Sequence, residues 1–397
     1  MRIYCTEELH ADGGPGVFFL CRAEDAFERF AAGHAGTIQL IYLDPPFGTG
    51  DIFQMRLKTA KRSVRLPVFA DRLEPDAYLA WMRLVLTYCH RLLAPTGSLY
   101  LHIDHRMNAP LRLMLDDIFG AANFMNELIW CYRSGGRSTR YYPRKHDTIL
   151  FYRKSRKVYF NIRAVGMPRG PERRNHMKRF VNDDGRVAYS IRSGKKTYVY
   201  YEDTPIYPSD VWSDIEHLQQ KDQERVGYAT QKPEALLRRI ILASSQPGDL
   251  VLDLFSGSGT TAAAASKLGR RYLVADASPV ALYTLRARQL KSVGTPSLLD
   301  GQHEMLLSYP AEKSPAALDC ARVSVRGKPF LQIDPAQFDE GPQPLVYAAL
   351  GKAEGTRFLP IWVDCFPKLP LRLPLDGVDR PVIQITDALG RQAFWQV

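Results

Sequence analysis

The chain has 397 residues, of which 45% are hydrophobic and 24% charged, and its formal net charge is +11. This length can bury a large core and predicts more than one domain, or one domain with insertions, of an ordinary globular kind. No run of 18 or more apolar residues occurs and no apolar segment follows the first basic residue, which argues against a membrane span and a secretory signal.

Apolar strands and helices alternate in the first 152 residues. Segments such as GVFFLC and IQLIYL have the length and composition of short buried strands. Pro75 suits the first turn of a helix. The predicted strands of this part are 16–21, 38–43, 98–103, 127–132 and 148–152, and the predicted helices are 75–93 and 106–119.

The periodicity is lost from residue 153 to about 225 and then returns. The irregular part predicts an inserted module with short aromatic strands at 157–162 and 196–202. Strands alternating with helices imply an α/β fold with a mostly parallel sheet covered on both faces. The elements predicted after the module are helices 233–245, 260–268 and 278–292 and strands 249–254 and 271–275.

These patterns divide the chain into four predicted parts. Residues 1–130 and 230–298 would form the two halves of the α/β domain. Residues 131–229 would form a basic region between them. Residues 299–397 are strand-like and contain proline, which predicts a small β-rich appendage of unknown role.

The excess positive charge is concentrated in one segment. Residues 131–225 contain 21 Lys and Arg against 11 Asp and Glu, whereas the rest of the chain is nearly balanced. The same segment holds ten of the twenty tyrosines. Basic side chains neutralise phosphates and aromatic rings stack on bases, so this segment predicts a nucleic-acid-binding face.

The six cysteines are scattered and form no CxxC pair. We therefore expect no metal site, and reduced thiols in a cytoplasmic protein. They are Cys5, Cys21, Cys89, Cys131, Cys320 and Cys365.

The sequence VLDLFSGSGTT predicts a strand, a glycine turn and a helix in succession. Asp253 lies near the strand end, and Gly257 and Gly259 would let the backbone approach a ligand closely. The lysine of a phosphate loop and the third glycine of a dinucleotide fingerprint are both missing, so the ligand need not carry phosphate. Asp276 ends the next predicted strand, where a carboxylate suits ribose hydroxyls.

The tetrad Asp44-Pro45-Pro46-Phe47 directly follows the predicted strand 38–43. The two prolines fix the backbone and remove two amide donors. What remains is a pair of acceptors, the Asp44 carboxylate and the Pro45 carbonyl, beside an aromatic ring. This cluster could hold an amino group and relieve its positive charge during alkylation, while Phe47 stacks on a base.

Together these motifs resemble the DNA amino-methyltransferases of the permuted β group, in which the catalytic tetrad precedes the recognition region and the cofactor turn follows it. Several segments resemble the modification subunits of type III restriction systems, although the chain is short for one. The matching segments lie within about residues 16–292 and include LIYLDPPFGTG, LLAPTGSLYLHID, LDDIFGAANFMNELIW, HDTILFY, TQKPEALLRRII and DLFSGSGTT.

The resemblance implies a Rossmann-like methyltransferase fold with a seven-stranded sheet, S-adenosylmethionine as cofactor and double-stranded DNA as partner. It implies that the catalytic residues are Asp44, Pro45, Pro46 and Phe47. It implies that the cofactor is surrounded by Asp25, Lys232, Pro233, Asp253, Phe255, Gly257, Gly259, Thr260 and Asp276. The basic region would recognise the target, with the DNA backbone held by Arg133, Arg137, Arg140, Arg144 and Lys145.

The chain departs from the family pattern at three positions. Phe47 stands where tyrosine is common, Gly48 where asparagine is common, and Asp276 where glutamate is frequent. Phe47 can still stack but cannot donate a hydrogen bond. By resemblance, Asp rather than Ser at position 44 favours N6 of adenine over N4 of cytosine.

Other functions stay open or are disfavoured. No Pro-Cys dipeptide is present for carbon-5 cytosine methylation, and no PCxxC for a zinc deaminase. N4-cytosine methylation, an RNA substrate and a non-catalytic DNA-binding protein on the same scaffold remain alternatives. A homodimer and a restriction nuclease partner are also possible.

Overall fold

The computed structural model describes most of the chain up to residue 285 and several separate segments after it. The described residues are 5–11, 14–58, 63–71, 73–133, 137–168, 176–201, 203–219, 221–228, 230–278, 280–282, 284–285, 288, 305–308, 320–325, 328–333, 345–354, 357–365, 371–375, 381–387 and 392–396.

Five α-helices and 24 strands are defined within these residues. Helices α1 to α5 are Ala23–His34, Pro75–Leu92, Asn108–Leu115, Glu234–Ser244 and Thr260–Lys267. Strands β1 to β12 are Cys5–Ala11, Gly14–Leu20, Ile38–Leu43, Ile52–Lys58, Ser63–Ala70, Leu93–Ile103, Phe124–Cys131, His146–Arg153, Met167–Pro168, Lys178–Val181, Val187–Ser193 and Lys196–Tyr201. Strands β13 to β24 are Pro205–Ile206, Val211–Trp212, Leu250–Asp253, Arg271–Asp276, Met305–Ser308, Cys320–Val325, Lys328–Ile333, Leu345–Glu354, Arg357–Cys365, Leu371–Pro374, Val382–Asp387 and Gln392–Gln396.

The centre of the molecule is a seven-stranded sheet in the order β7-β8-β6-β3-β15-β16-β2. All of these strands run in one direction except β8, which is antiparallel to both of its neighbours. Buried side chains of α1, α2 and α3 form the core on one face, and those of α4 and α5 the core on the other. The predicted Rossmann-like α/β fold is therefore confirmed.

The sheet continues beyond these seven strands at both edges. Strand β14 pairs with β7 at one edge. At the other edge β1 pairs with both β2 and β17, and the order then continues through β21, β20, β23 and β24. The described part of the chain thus forms a 14-stranded sheet, wider than predicted, and several strands of 299–397 belong to it.

One predicted element differs from the structure, one hairpin was not predicted, and one predicted helix is described only in part. The predicted strand 157–162 is wrong, because this segment forms no strand: Tyr159 donates its amide to Thr96 of β6, and Asn161 donates its amide to Ala243 of α4. The β4–β5 hairpin was not predicted. The helix predicted at 278–292 is helical at residues 280–282, 284–285 and 288, and its other residues after 278 lie outside the described ones. None of the helices among the described residues is both long and apolar enough to span a membrane.

Gly16 of β2 lies directly under the ring of Tyr272 on β16. A Cβ atom at Gly16 would be 2.0 Å from the ring, so a side chain here forces a shift in the core. We expect Gly16→Ala to lower the free energy of unfolding by about 1–3 kcal/mol. Gly33→Ala is the matched control, because Gly33 lies in α1 with nothing within 4 Å of its added Cβ. Equal denaturation midpoints for the two variants would contradict this expectation.

Candidate active site

The two sequence motifs meet because their strands are neighbours. Strand β15 pairs in parallel with β3, with Val251 opposite Leu40 and Leu252 opposite Ile41. Asp44 immediately follows β3, and Asp253 ends β15. The carboxyl ends of parallel strands meet at one edge of a sheet, where α/β proteins bind ligands. The tetrad and the glycine turn therefore open into the same cleft.

The cleft has a volume of about 190 Å³, more than tenfold the space that one water needs. Its walls include all four residues of the tetrad and six of the nine predicted cofactor residues: Asp44, Pro45, Pro46, Phe47, Lys232, Asp253, Phe255, Gly257, Thr260 and Asp276. It is also lined by residues that were not predicted, among them Glu24, Asp71, Trp81 and Tyr228.

Three predicted cofactor residues are not part of the cleft wall. Asp25 is half-buried in the first turn of α1, and its neighbour Glu24 lines the cleft instead. Pro233 is the buried N-cap of α4, next to Lys232. Gly259 is the N-cap of α5, with φ +74°, and a Cβ there would be 2.7 Å from Leu285. Pro233 and Gly259 therefore determine the path of the backbone behind the cleft.

Two buried carboxylates organise the glycine turn. Asp253 accepts the amide of Phe255 at 2.9 Å and the hydroxyl of Thr261 at 2.5 Å. Asp276 accepts the amides of Gly257 and Ser278, both at 2.8 Å. The side chains that end β15 and β16 therefore hold the loop between them from both sides.

The same burial changes the acidity of these groups. Desolvation raises the pKa of Asp253 to about 7, and the nearby carboxylates Asp44 and Asp276 add to the effect. Desolvation likewise raises the pKa of Asp276 to about 6. Both groups would gain from a ligand that brings hydrogen-bond donors, since donors favour the ionised carboxylate.

The backbone of the tetrad is fixed by a carboxylate that follows β5. Asp71 is 2% exposed and accepts the amides of Phe47, Gly48 and Thr49 at 3.1, 2.8 and 2.8 Å. Tyr78 of α2 donates its hydroxyl to the Pro46 carbonyl at 2.7 Å. Among the described residues no donor reaches the Pro45 carbonyl. Both Pro45 and Asp44 line the cleft, so this carbonyl and the Asp44 carboxylate are its candidate acceptors within the tetrad.

Lys232 connects the tetrad to the segment before α4. Its Nζ lies 2.5 Å from Asp44 Oδ2 and 5.5 Å from the centre of the Phe47 ring. The two side chains of the ion pair are only 10% and 16% exposed. The structure thus places this lysine against the carboxylate of the tetrad. Sequence reasoning missed the pair, because 188 residues separate its members and nothing local indicates it.

A buried polar network lies behind Phe47. The His102 ring stacks on Phe47 with centroids 6.1 Å apart, and its Nδ1 and Nε2 lie 2.8 and 3.2 Å from Tyr42 and Asp147. Burial alone would raise the pKa of Asp147, but the hydrogen bond and charge of His102, with help from Lys232 and Tyr132, lower it to about 2. The segment SLYLHID did not indicate a role for His102, because this part of β6 is buried on both faces and a buried histidine there looks like any other core residue.

The predicted DNA-binding residues lie on the connection between β7 and β8, outside the cleft wall. The connection leaves the sheet at the same edge as Asp44, because β7 is parallel to β6 and β3. Four of these residues are exposed and the last is half-buried: Arg133, Arg137, Arg140, Arg144 and Lys145.

Comparison with known proteins identifies relatives of this fold and site. Two curated proteins are 29% identical to the chain: the type II methyltransferase M.EcaI of Enterobacter cloacae over 296 residues, and the DNA adenine methyltransferase YhdJ of Escherichia coli K12 over 258 residues. Each match covers 63% of this chain, and the matched part spans 64% of M.EcaI and 75% of YhdJ. The resemblance to type III modification subunits stays a prediction.

A solved structure also resembles the chain. The cytosine-N4-specific PvuII DNA methyltransferase shares 17% identity with a TM-score of 0.45, over 69% of this chain and 86% of its own. The profile of the DNA methylase family, which comprises N6- and N4-methylases, matches residues 38–286. This match contains both strand-end motifs and most of the cleft, and the chain belongs to the N6/N4 DNA methylase family.

Proposed function

We propose that the protein transfers a methyl group from S-adenosylmethionine to the exocyclic amino group of a base in double-stranded DNA, and that the base is adenine, methylated at N6. The observation that supports this most is the shared cleft. Asp44 and Pro45, which we propose accept the amine, line it together with Gly257 of the glycine turn and the two carboxylates Asp253 and Asp276.

The residues of the glycine turn fit the cofactor. Asp253 and Asp276 have raised pKa values, and additional hydrogen-bond donors would stabilise their ionised forms. The cofactor would supply such donors, its ribose hydroxyls and an amino group. Phe255 and Trp81 pack edge to face at 5.6 Å and supply an apolar wall for an adenine ring. When bound, the cofactor supplies an electrophilic methyl group on a positively charged sulfur.

The tetrad provides the matching site for the base. Asp44 and the Pro45 carbonyl would accept the two N–H bonds of the amino group and orient the nitrogen lone pair. They would also stabilise the positive charge that develops on nitrogen during alkylation. Phe47 would stack on the base, supported from behind by His102. Positioning and electrostatics would then account for most of the acceleration, without a covalent enzyme intermediate.

A base inside a duplex cannot reach this cleft, so it must be extruded, at a cost of about a few kcal/mol. The exposed arginines of the β7–β8 connection, at the same sheet edge as the tetrad, would hold the phosphates on either side. Asp at position 44 supports adenine as the target. N4 of cytosine is the alternative, and the relatives described above include both kinds of enzyme.

Two measurements test this function together. Purified protein is mixed with duplex DNA and radiolabelled S-adenosylmethionine, and DNA from cells that express the protein is sequenced with a method that detects methylated bases. We expect label in DNA and N6-methyladenine at one short sequence. N4-methylcytosine would overturn the choice of base, and absence of any methylated base would overturn the function.

The raised pKa of Asp276 predicts that cofactor binding depends on pH. Burial raises the pKa of Asp276, whereas hydrogen bonds from a ribose would favour its ionised form, so binding near or below pH 6 would release a proton. Affinity for S-adenosylmethionine should therefore fall as the pH drops through about 6. Calorimetry between pH 5 and 8 would measure this. Asp276→Asn should bind more weakly and lose most of the pH dependence around 6, and an unchanged profile in this variant would contradict the assignment.

A further inference from the structure

One exposed aromatic side chain in the described part of the chain is unexplained by the site. Tyr142 is 96% exposed and makes no hydrogen bond or ring contact with any described residue. Its neighbour Tyr141 is 59% exposed and lies 5.0 Å from the Arg144 guanidinium. Pro143 follows Tyr142 and restricts its backbone to extended conformations. An aromatic ring held clear of the protein surface in this way is available for a partner.

The segment that carries Tyr142 is joined to the tetrad by a short series of contacts. Tyr132, at the base of this segment, donates its amide to Lys145 at 2.9 Å and its hydroxyl to Asp147 at 3.2 Å. Asp147 contacts His102, whose ring stacks on Phe47. The described residues 137–145 therefore leave the sheet beside the place proposed for the extruded base.

The surroundings of Tyr142 identify its partner as DNA. Arg137, Arg140 and Arg144 flank Tyr142 along the chain with exposed side chains, and the described part of this segment has no acidic residue before Asp147. This charge is complementary to phosphates, and an aromatic ring can stack on any base. A lipid or acidic protein surface would satisfy the arginines but would give no reason for an exposed aromatic ring near the place proposed for the extruded base.

We propose that Tyr142 enters the duplex at the target site and occupies the gap left in the base stack when the target base turns out toward Phe47. This inference rests on the proposed function. The ring would stack on the neighbouring bases and hold the opened duplex, as inserted side chains do in proteins that distort DNA. The stacking of Tyr142 is needed only where the target base is paired and stacked before the protein binds.

The test compares paired and mispaired substrates. After the target sequence has been mapped, single-turnover methylation rates and dissociation constants are measured on a fully paired duplex and on one with a mismatch at the target base. We expect Tyr142→Ala to slow methylation of the paired duplex about 10- to 100-fold, in line with the loss of one stacking contact. On the mismatched duplex, whose target is already loosened, the loss should shrink to less than about threefold.

Two further variants separate the ring from other effects. Tyr142→Phe keeps the ring and should behave like the wild type. Leu113→Ala removes another exposed apolar side chain, which is 71% exposed on α3, and should not change the methylation rate on either duplex. Equal losses on both duplexes, or no loss at all, would overturn the insertion of Tyr142. If the wild type itself methylated no duplex, the proposed function would fail first, and the two failures are thus distinguishable.

Discussion

Asp44→Ala should reduce methyl transfer by about 100- to 1,000-fold while leaving affinity for S-adenosylmethionine within a few-fold of the wild type. The change removes one of the two acceptors that would hold the amino group, and losses of this size are typical when one preorganised electrostatic contact to the reacting atoms is removed. Asp253 and Asp276, which would bind the cofactor, keep their hydrogen bonds. Single-turnover rates and calorimetric binding constants would measure the two effects separately.

Removal of Asp44 also leaves Lys232 without its partner, so stability must be controlled. The ammonium is only 10% exposed, and an orphaned cation in such a position costs about 3 kcal/mol. The double variant Asp44→Ala/Lys232→Met removes both charges and should recover most of the stability but none of the activity. Full activity in either variant would remove Asp44 from the mechanism. Recovery of activity with stability would show that the single variant was merely unfolded.

Asp71→Ala should lower the free energy of unfolding by about 2–4 kcal/mol and, under conditions where the variant is folded, should also impair methyl transfer. The substitution orphans three backbone amides of the tetrad at once, and each unsatisfied donor costs about 1–3 kcal/mol when buried. The residues involved are half-buried, so water would offset part of the loss. Without this anchor the Pro45 carbonyl and the Phe47 ring would no longer have fixed positions.

Two matched variants make this prediction specific. Asp71→Asn keeps one acceptor oxygen, which can serve the two amides that share Oδ2, and should lose roughly half as much stability. Asp51→Ala changes an exposed carboxylate on the same loop and should have almost no effect. Denaturant titration and initial rates would measure all three. A stable, fully active Asp71→Ala variant would show that the tetrad holds its shape without this carboxylate.

The sequence predicted those features of the site that depend on strand ends. Each motif directly follows an apolar strand of its own. The carboxyl ends of parallel strands lie at one edge of a sheet, so the proximity of Asp44 and Asp253 was expected from the order of the elements. The contact of Lys232 with Asp44 did not follow. It depends on how α4 packs against the sheet, and that packing is decided by buried side chains far apart in the chain.

Other parts of the structure could not be predicted because their signals were ambiguous. The alternation of Phe53, Met55 and Leu57 with polar residues is a strand signal, but no local pattern indicates that Asp71, after β5, anchors the tetrad. The segment 157–162 has the aromatic composition of a strand. Two of its amides are bonded instead to Thr96, near the start of β6, and to Ala243, near the end of α4, and a local pattern cannot show this.

Strand β1 lies between the central seven-stranded sheet and the strands near the carboxyl end of the chain. Its residues Glu7, Glu8 and Leu9 pair with Leu307, Leu306 and Met305. Strand β17 therefore covers the outer edge of β1, which would otherwise offer unpaired amides and carbonyls to strands of other molecules. The carboxyl-terminal strands, which bear no recognised catalytic motif, extend the sheet beyond β1 and move its outer edge to β24.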